Sequence, residues 1–151
     1  MKKVILLLVT VLAFNLSNAQ SELNLSVFQN VDDVHLNTIT ELEFKSQNNI
    51  SVTFGTMIDA NKDNVFGVNL GLGYTVTVGN ISLTPSIIGG VINSKEQTSF
   101  KKFYGGDVNL EVKLFKNVSA TGKLRYTHEG QTKLTANGFT PNYYVGIKIN
   151  L

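Results

Sequence analysis

The stretch "VFGVNLGLGYTVTV", residues Val65 to Val78, separates into two sets when every second position is taken. The first set is apolar and consists of Phe66, Val68, Leu70, Leu72, Tyr74, Val76 and Val78. The second is small or polar and consists of Gly67, Asn69, Gly71, Gly73, Thr75 and Thr77. Alternation at period two indicates a β-strand with one apolar face. Such strands occur in soluble sheets and in membrane barrels, so the remaining chain decides which face meets water.

The first residues of the chain have the three parts of a secretory signal peptide. Lys2 and Lys3 form the basic start, residues 4–14 form the apolar run, and Ser17 and Ala19 are the small residues at the cleavage positions. A membrane-spanning helix needs about 20 apolar residues, which is more than this run supplies. A buried N-terminal helix is the alternative interpretation. The sequence predicts a signal peptide over residues 1–19 and one mature domain over residues 20–151.

Composition narrows the classes of protein that the mature chain can belong to. Without Lys2 and Lys3 the formal charge falls from +2 to zero, so no basic surface for nucleic acid is expected. Charged residues make up 16% of the chain, compared with about 25% in soluble domains. The absence of cysteine from the sequence excludes disulfides, thiolate metal sites and a cysteine nucleophile. An apolar solvent around the folded chain would explain the shortage of charge.

Period-two alternation continues through the mature chain and predicts eight strands with no amphipathic helix. They cover residues 22–28, 36–45, 49–58, 65–78, 81–92, 103–114, 118–129 and 142–151. Pro85 lies inside the fifth strand, although proline cannot donate to a ladder and usually marks an edge or a bulge. The strand is kept in the prediction, because its apolar residues remain in phase on both sides of the proline.

The connections between these strands alternate in length. Residues 46–49, 79–80 and 116–117 form tight turns. Longer, polar segments rich in Gly, Asn and Lys occupy residues 29–35, 59–64, 93–102 and 130–141. Short turns at one end and long loops at the other are the layout of a bacterial membrane barrel, with both termini on the short-turn side.

The apolar faces of the strands carry no charge over their whole length, which favours contact with lipid. Twelve residues that rise about 3.3 Å each and tilt near 45° cover about 28 Å, enough to cross an outer membrane. Closure into a ring leaves no unpaired edge in the bilayer. The glycines of the fourth strand would then face inward and give room to long side chains from other strands. The predicted fold is all-β, an eight-stranded antiparallel up-and-down transmembrane β-barrel.

Two groups of candidate site residues follow from this orientation. An interior network of ion pairs and hydrogen bonds is predicted from Glu41, Glu43, Glu111, Lys113, Lys123, Arg125 and Lys148. Solvation at the rims is an equal alternative for Lys45 and Lys148. A lipid-facing aromatic girdle near the long-loop end is predicted from Phe66, Tyr104, Tyr126 and Tyr143. The lumen is therefore expected to be plugged.

The signal peptide, the eight alternating strands, the alternating connections and the amphipathic last strand resemble the small eight-stranded outer-membrane barrels. The chain is similar in this pattern to the transmembrane domain of outer membrane protein A and to outer membrane protein X. The resemblance implies a non-enzymatic protein of the Gram-negative outer membrane, with a structural or surface-interaction role through extracellular loops. The implied partners are outer-membrane lipids and lipopolysaccharide, the barrel-assembly machinery, and an unknown extracellular ligand. The C-terminal Leu151 departs from the aromatic residue with which such barrels often end.

Two other functions remain open from the sequence. A soluble periplasmic or secreted barrel that binds an apolar ligand would have the opposite strand face in water. A lipid-modifying outer-membrane enzyme would use His128, but the adjacent Glu129 points to the other face of the strand, and no spacing links Ser99 to them. In that case His128→Ala would abolish an activity on lipid A.

No cofactor or metal site is predicted. The loop "DANKDN" at residues 59–64 has oxygen ligands but lacks the glycine and the terminal glutamate of an EF-hand. Glu41 and Glu43 would need an open cleft to act as a glycosidase pair, which a filled barrel does not offer.

Overall fold

The structure is a computed structural model that describes residues 22–31, 37–59, 65–93, 100–129 and 139–151. The predicted signal peptide, His35, Ser99 and most of the long connections lie outside these residues. Within the described ranges, no helix has the length and apolar character needed to cross a membrane.

The described chain is built from strands at the positions that the alternation predicts. The strands are β1 (Glu22–Asn30), β2 (Asn37–Lys45), β3 (Ile50–Asp59), β4 (Val65–Tyr74), β5 (Val76–Val78), β6 (Ile81–Asn93), β7 (Lys101–Lys113), β8 (Val118–Glu129) and β9 (Phe139–Asn150). Here β4 and β5 are the two parts of the predicted fourth strand. The last strand begins three residues earlier than predicted, at Phe139, and the first continues beyond Phe28 to Asn30.

Pairing closes these strands into a barrel. All neighbours are antiparallel, β1 pairs with both β2 and β9, and β4 pairs with β6 to complete the ring. With β4 and β5 counted as one strand, the ring has eight members in up-and-down order. The prediction of an eight-stranded antiparallel barrel is confirmed. Closure provides each of the eight members with a paired strand on both sides, except along the short β5 part, which pairs with β6 alone.

The predicted fourth strand is interrupted at Thr75, and the interruption explains the tolerance of Pro85. Pairing of β4 with β6 ends at Gly73 and Ser86, and pairing of β5 with β6 begins at Val76 and Leu83. Pro85 therefore lies where the ladder is broken, and its missing N–H costs no ladder bond on that side. The Thr75 and Thr84 hydroxyl groups, 2.9 Å apart, join the two strands at this point instead.

The short turns at one end of the barrel have the backbone conformations that their residues favour. Asn49 closes the β2–β3 turn with a left-handed φ of 62°, and its N–H donates to the Ser46 carbonyl at 3.0 Å. Gly79 takes a φ of 60° at the first position of the two-residue β5–β6 turn. Strand direction places the strand ends that border the four long connections at the opposite end of the barrel.

Alternate residues of each strand face the lumen and the outside. On β8 the inward residues Ser119, Thr121, Lys123 and Arg125 are buried, the outward Ala120 and Tyr126 are exposed, and the outward His128 near the end of the strand is buried. The inward set contains the charged and hydroxyl side chains, and the exposed set is apolar or aromatic. This is the reverse of a soluble barrel, whose interior is apolar.

Candidate functional site

Charged side chains cross the lumen and meet in a first cluster. The Arg125 Nη2 atom lies 2.7 Å from Glu41 Oε1 and 2.8 Å from Asp107 Oδ2. The Arg125 Nε atom also donates to Asp107 Oδ2 at 3.2 Å. Lys123 pairs with Glu41 and lies 3.6 Å from Asp107. Two carboxylates and two cations thus neutralise one another, which a charge removed from water requires.

A second cluster lies nearer the short turns. Lys148 pairs with Glu43, and its Nζ atom lies 2.7 Å from Glu111 Oε2. The Ser119 hydroxyl donates to Glu111 at 2.7 Å, and the Asn24 amide donates to Glu43 at 3.2 Å. Each carboxylate therefore has both a cation and a neutral donor.

Together the two clusters join opposite walls of the barrel. Their carboxylates come from β2 and β7, which are separated by three strands on either side of the ring. Their cations come from β8 and β9, which lie between those walls. Lys123 and Arg125 therefore reach across the lumen to β2, and we call the two clusters together the ionic layer.

The structure places six of the seven predicted network residues in this layer and leaves one outside. Lys113 is the last residue of β7 and its side chain is exposed, so its inclusion was wrong. It has the inward phase, but the strand ends there and water solvates the ammonium group. Asp107 belongs to the layer but was not among the predicted site residues. Its place opposite Arg125 in the β7–β8 register was the signal that could have identified it.

The alternative of rim solvation applies to only one of the two lysines. Lys148 is buried in the ionic layer. Lys45 instead lies near the short-turn rim, where its Nζ atom is 3.8 Å from the exposed carboxylate of Glu22.

An apolar layer lies beside the ionic layer, on the side of the long connections. Phe28, Ile39 and Tyr144 are almost completely buried and pack together, with Met57 against them. In the β1–β2 register Phe28 pairs with Ile39. This is the next inward-facing pair after Ser26 and Glu41, on the side of the long connections. The Lys123 Nζ atom lies 4.4 Å from the centre of the Phe28 ring and connects the two layers.

Sequence reasoning missed the apolar layer, because it assigned the filling of the lumen to charged side chains and grouped no inward apolar residues. Phe103 and Ile88 are also buried in the inward phase, on β7 and β6. The Phe103 ring lies over Gly90, where a Cβ atom would be 2.7 Å from the ring. The sequence does contain a signal for this layer. Phe28 alternates in phase with Asn24 and Ser26, so it belongs to the inward face of the first strand.

The inward glycines of β4 make room for neighbouring side chains, although not for the long charged ones that were predicted. A Cβ at Gly73 would lie 2.9 Å from the Ser51 hydroxyl, and one at Gly67 would lie 2.9 Å from the Met57 methyl group. At Gly71 it would collide with the Thr53 hydroxyl. Side chains of the adjacent β3 therefore cover the glycine face.

The four aromatic residues of the predicted girdle all have exposed side chains on the outer wall. They are Phe66, Tyr104, Tyr126 and Tyr143. Tyr104 stacks on His128, with the ring centres 5.3 Å apart and the planes 12° from parallel. His128 has the outward phase that the sequence indicates, but it is buried against this ring. Among the described residues, no group of three or more His, Asp or Glu side chains is placed to hold a metal ion.

Comparison with known proteins gives a likeness of fold. No protein-family model matches the chain, and the search of curated proteins finds no match. Among solved structures, a de novo designed transmembrane β-barrel has a TM-score of 0.56 at 12% identity, over 87% of this chain and 94% of that one. The designed barrel TMB2.3 has a TM-score of 0.60 at 12% identity, over 89% and 97%.

A natural protein has the same fold. The outer membrane protein Ail of Yersinia pestis, solved in a phospholipid bilayer nanodisc, has a TM-score of 0.56 at 10% identity. The similarity covers 87% of this chain and 100% of that one. At this identity the likeness shows the shared architecture, which is that of a small eight-stranded barrel.

Proposed function

We propose that this chain is an integral outer-membrane β-barrel with a closed lumen. The observation that carries the proposal is the outer wall, where large apolar side chains are exposed all around the barrel. Leu70 is 61% exposed on β4, Ile87 is 69% exposed on β6 and Ile147 is 57% exposed on β9. A monomer in water rarely exposes one contiguous apolar surface of this extent.

Charge on the strands supports the same placement. Within the described strands, Lys102 alone among the charged residues has the outward phase, and it is the second residue of β7 at the long-connection end. The other charged strand residues have the inward phase. A wall without charge across its middle is what a hydrocarbon solvent requires, since a charge at the bilayer centre is costly.

The role that we propose is structural support of the envelope and surface interaction, without catalysis. Within the described strands, the ionic and apolar layers fill the lumen with packed side chains, which supports a role without a substrate cleft inside the barrel. His128 stacks on Tyr104, and the adjacent Glu129 belongs to the opposite phase of β8. Recognition is assigned to the four long polar connections. The partners are the surrounding lipids and lipopolysaccharide, the barrel-assembly machinery and an extracellular ligand.

Membrane insertion is testable with single cysteines, because the sequence has none. Leu70→Cys places a fluorophore on the outer wall, and Lys116→Cys places the same fluorophore in the exposed β7–β8 turn as a control. After reconstitution in vesicles, we expect a lipid-tethered quencher to act on the label at position 70. Aqueous iodide should act on the label at position 116. Quenching of both labels by iodide alone would contradict the proposal and favour a soluble barrel.

A further inference from the structure

The outer wall of the described strands is not smooth, and two of its apolar grooves lie side by side, the more voluminous of them over β6 and β7. This larger groove has a volume of about 700 Å³ and an almost entirely apolar lining. It crosses five neighbouring strands at Ile50, Tyr74, Pro85, Ile87, Gly106 and Tyr126. Four inter-strand spacings of about 4.8 Å make it about 19 Å long.

The groove exists because a glycine replaces a side chain on the outer face of β7. Gly106 has the outward phase, between Ile87 of β6 and Tyr126 of β8 in the two registers. The side chains of Ile87 and Tyr126 are both exposed and form its walls. At the other end, the groove passes the ladder break at Thr75 and Pro85, where Tyr74 forms the wall.

The orientation of the groove suits a lipid chain. Strands of such a barrel tilt by about 35–45°, so the direction across the strands is also oblique to the membrane normal. The groove therefore passes from Tyr74, near the short turns, toward Tyr126, nearer the long connections. A flexible apolar chain can enter this path at its Tyr126 end and would bury surface that neighbouring lipids cannot reach as closely.

Charge indicates which lipid occupies the groove. Lys102 is exposed and has the same outward phase as Gly106, four residues away on β7. At about 3.3 Å per residue, its backbone lies about 13 Å from the groove toward the long connections. Tyr104, stacked on His128, lies between them and offers an aromatic surface at the level of the lipid head group.

From this arrangement we propose that Gly106 and Lys102 form a binding site for a phosphate-bearing anionic lipid of the outer leaflet. The acyl chain lies in the groove over Gly106, and the phosphate contacts the ammonium group of Lys102. The inference rests on the proposed membrane insertion and adds one specific lipid site to it.

The test uses the absence of tryptophan from the sequence. Tyr126→Trp puts a single fluorescent probe in the wall of the groove, and Val27→Trp puts one on the exposed face of β1, on the far side of the barrel. Each protein is reconstituted in phosphatidylcholine vesicles that contain a minor fraction of brominated phosphatidylglycerol or brominated phosphatidylcholine. Bromine quenches tryptophan only at close contact, so the comparison measures lipid preference at each site.

At the Tyr126→Trp probe we expect about a fivefold preference for the anionic lipid, since a lysine near an anionic membrane contributes about 1 kcal/mol. The Val27→Trp probe should show no preference. Adding Lys102→Gln to the Tyr126→Trp protein should remove the preference. Adding Gly106→Leu should do the same by filling the groove, whereas Gly122→Leu, at an outward glycine outside the groove, should preserve it.

Equal quenching by the two lipids at the Tyr126→Trp probe would overturn the inference, because any acyl chain would then occupy the groove. The same anionic preference at both probes would also overturn it, since the preference would belong to the whole wall. Absence of quenching by either lipid at both probes would instead contradict membrane insertion itself. The Lys102→Gln result decides the role of that lysine even if Gly106→Leu fails to fold.

Discussion

Arg125 donates three hydrogen bonds to carboxylates of the ionic layer, one to Glu41 and two to Asp107, and it is 1% exposed. Its guanidinium group holds Glu41 at 2.7 Å and Asp107 at 2.8 Å, and its Nη1 atom lies 3.6 Å from the Met57 sulphur in the apolar layer. The guanidinium group of arginine holds its N–H donors on three nitrogen atoms in one rigid plane, so it fixes its partners in geometry as well as in charge, whereas a lysine has all its donors on a single nitrogen. One residue on β8 thereby ties β2 to β7.

Replacing Arg125 tests how far the barrel depends on this contact. Arg125→Met keeps most of the length of the side chain but leaves Lys123 as the one cation that the described structure places beside Glu41 and Asp107. We expect the free energy of unfolding to fall by about 3 kcal/mol, because a buried charge loses its partner. The measurement is urea unfolding in detergent micelles, followed by far-UV circular dichroism.

Lys113→Met is the matched control for that measurement, since Lys113 is exposed at the end of β7. It should change the free energy of unfolding by no more than about 0.5 kcal/mol. An equal cost for the two substitutions would show that the ionic layer does not stabilise the barrel.

At the scale of the strands, the barrel is closed by the pairing of β1 with β9. Gly146 of β9 pairs with Phe28 in this register, and a Cβ there would lie 2.9 Å from both the Phe28 Cα and the Val27 carbonyl carbon. It would also collide with the Val27 carbonyl oxygen. These are backbone atoms, which cannot move aside without opening the seam.

Gly146→Ala should therefore destabilise the barrel by about 3 kcal/mol, at the upper end of the usual cost of overpacking. Gly122→Ala is the control, because a Cβ there would meet its nearest atom, the Tyr144 carbonyl oxygen, at an ordinary 3.9 Å. Thermal unfolding followed by circular dichroism would compare the two variants. If Gly146→Ala melts at the same temperature as Gly122→Ala, the seam is looser than the structure indicates.

Alternation was sufficient to predict the strands, since a period of two fixes both the existence of a strand and its faces. It predicted Glu41 and Arg125 on inward faces, but it could not show that they meet, because their contact depends on the register of strands far apart in sequence. It also could not place the break at Thr75. The break lies between the Gly73–Ser86 pair and the Val76–Leu83 pair. It becomes visible only when the register of the predicted fourth strand against β6 is known.

The lumen was harder to predict than the wall. Lipid imposes a uniform apolar requirement on the outer face, whereas inward residues have only to pack and to satisfy one another. Phe28 therefore fits inside as well as a polar residue would, provided that Ile39, Tyr144 and Met57 are beside it. Alternation in the sequence shows which residues face the lumen, but it cannot show whether they form an ionic layer or an apolar layer there.

Across the whole molecule, the two lumen layers have complementary effects on what could pass through the barrel. The ionic layer joins opposite walls with charged pairs, most of which are buried. The apolar layer presents mainly hydrocarbon to a hydrated ion, and the nearly complete burial of Ile39 shows how closely its members pack. An ion that crossed the lumen would have to lose its water in one layer and displace a salt bridge in the other.

Conductance in planar bilayers tests this closure. We expect the wild-type barrel and Phe28→Ala to show no steady current, because the bridges from Arg125 to Glu41 and Asp107 remain across the lumen. Arg125→Ala alone should also remain closed, since the apolar layer is intact. The combination of Phe28→Ala with Arg125→Ala removes a blocking side chain from each layer and should produce channel openings. A steady current through the wild-type protein would show that the two layers do not seal the barrel. If the double variant also carries no current, the other lumen side chains are sufficient to block ions, and the two layers are not what closes the barrel.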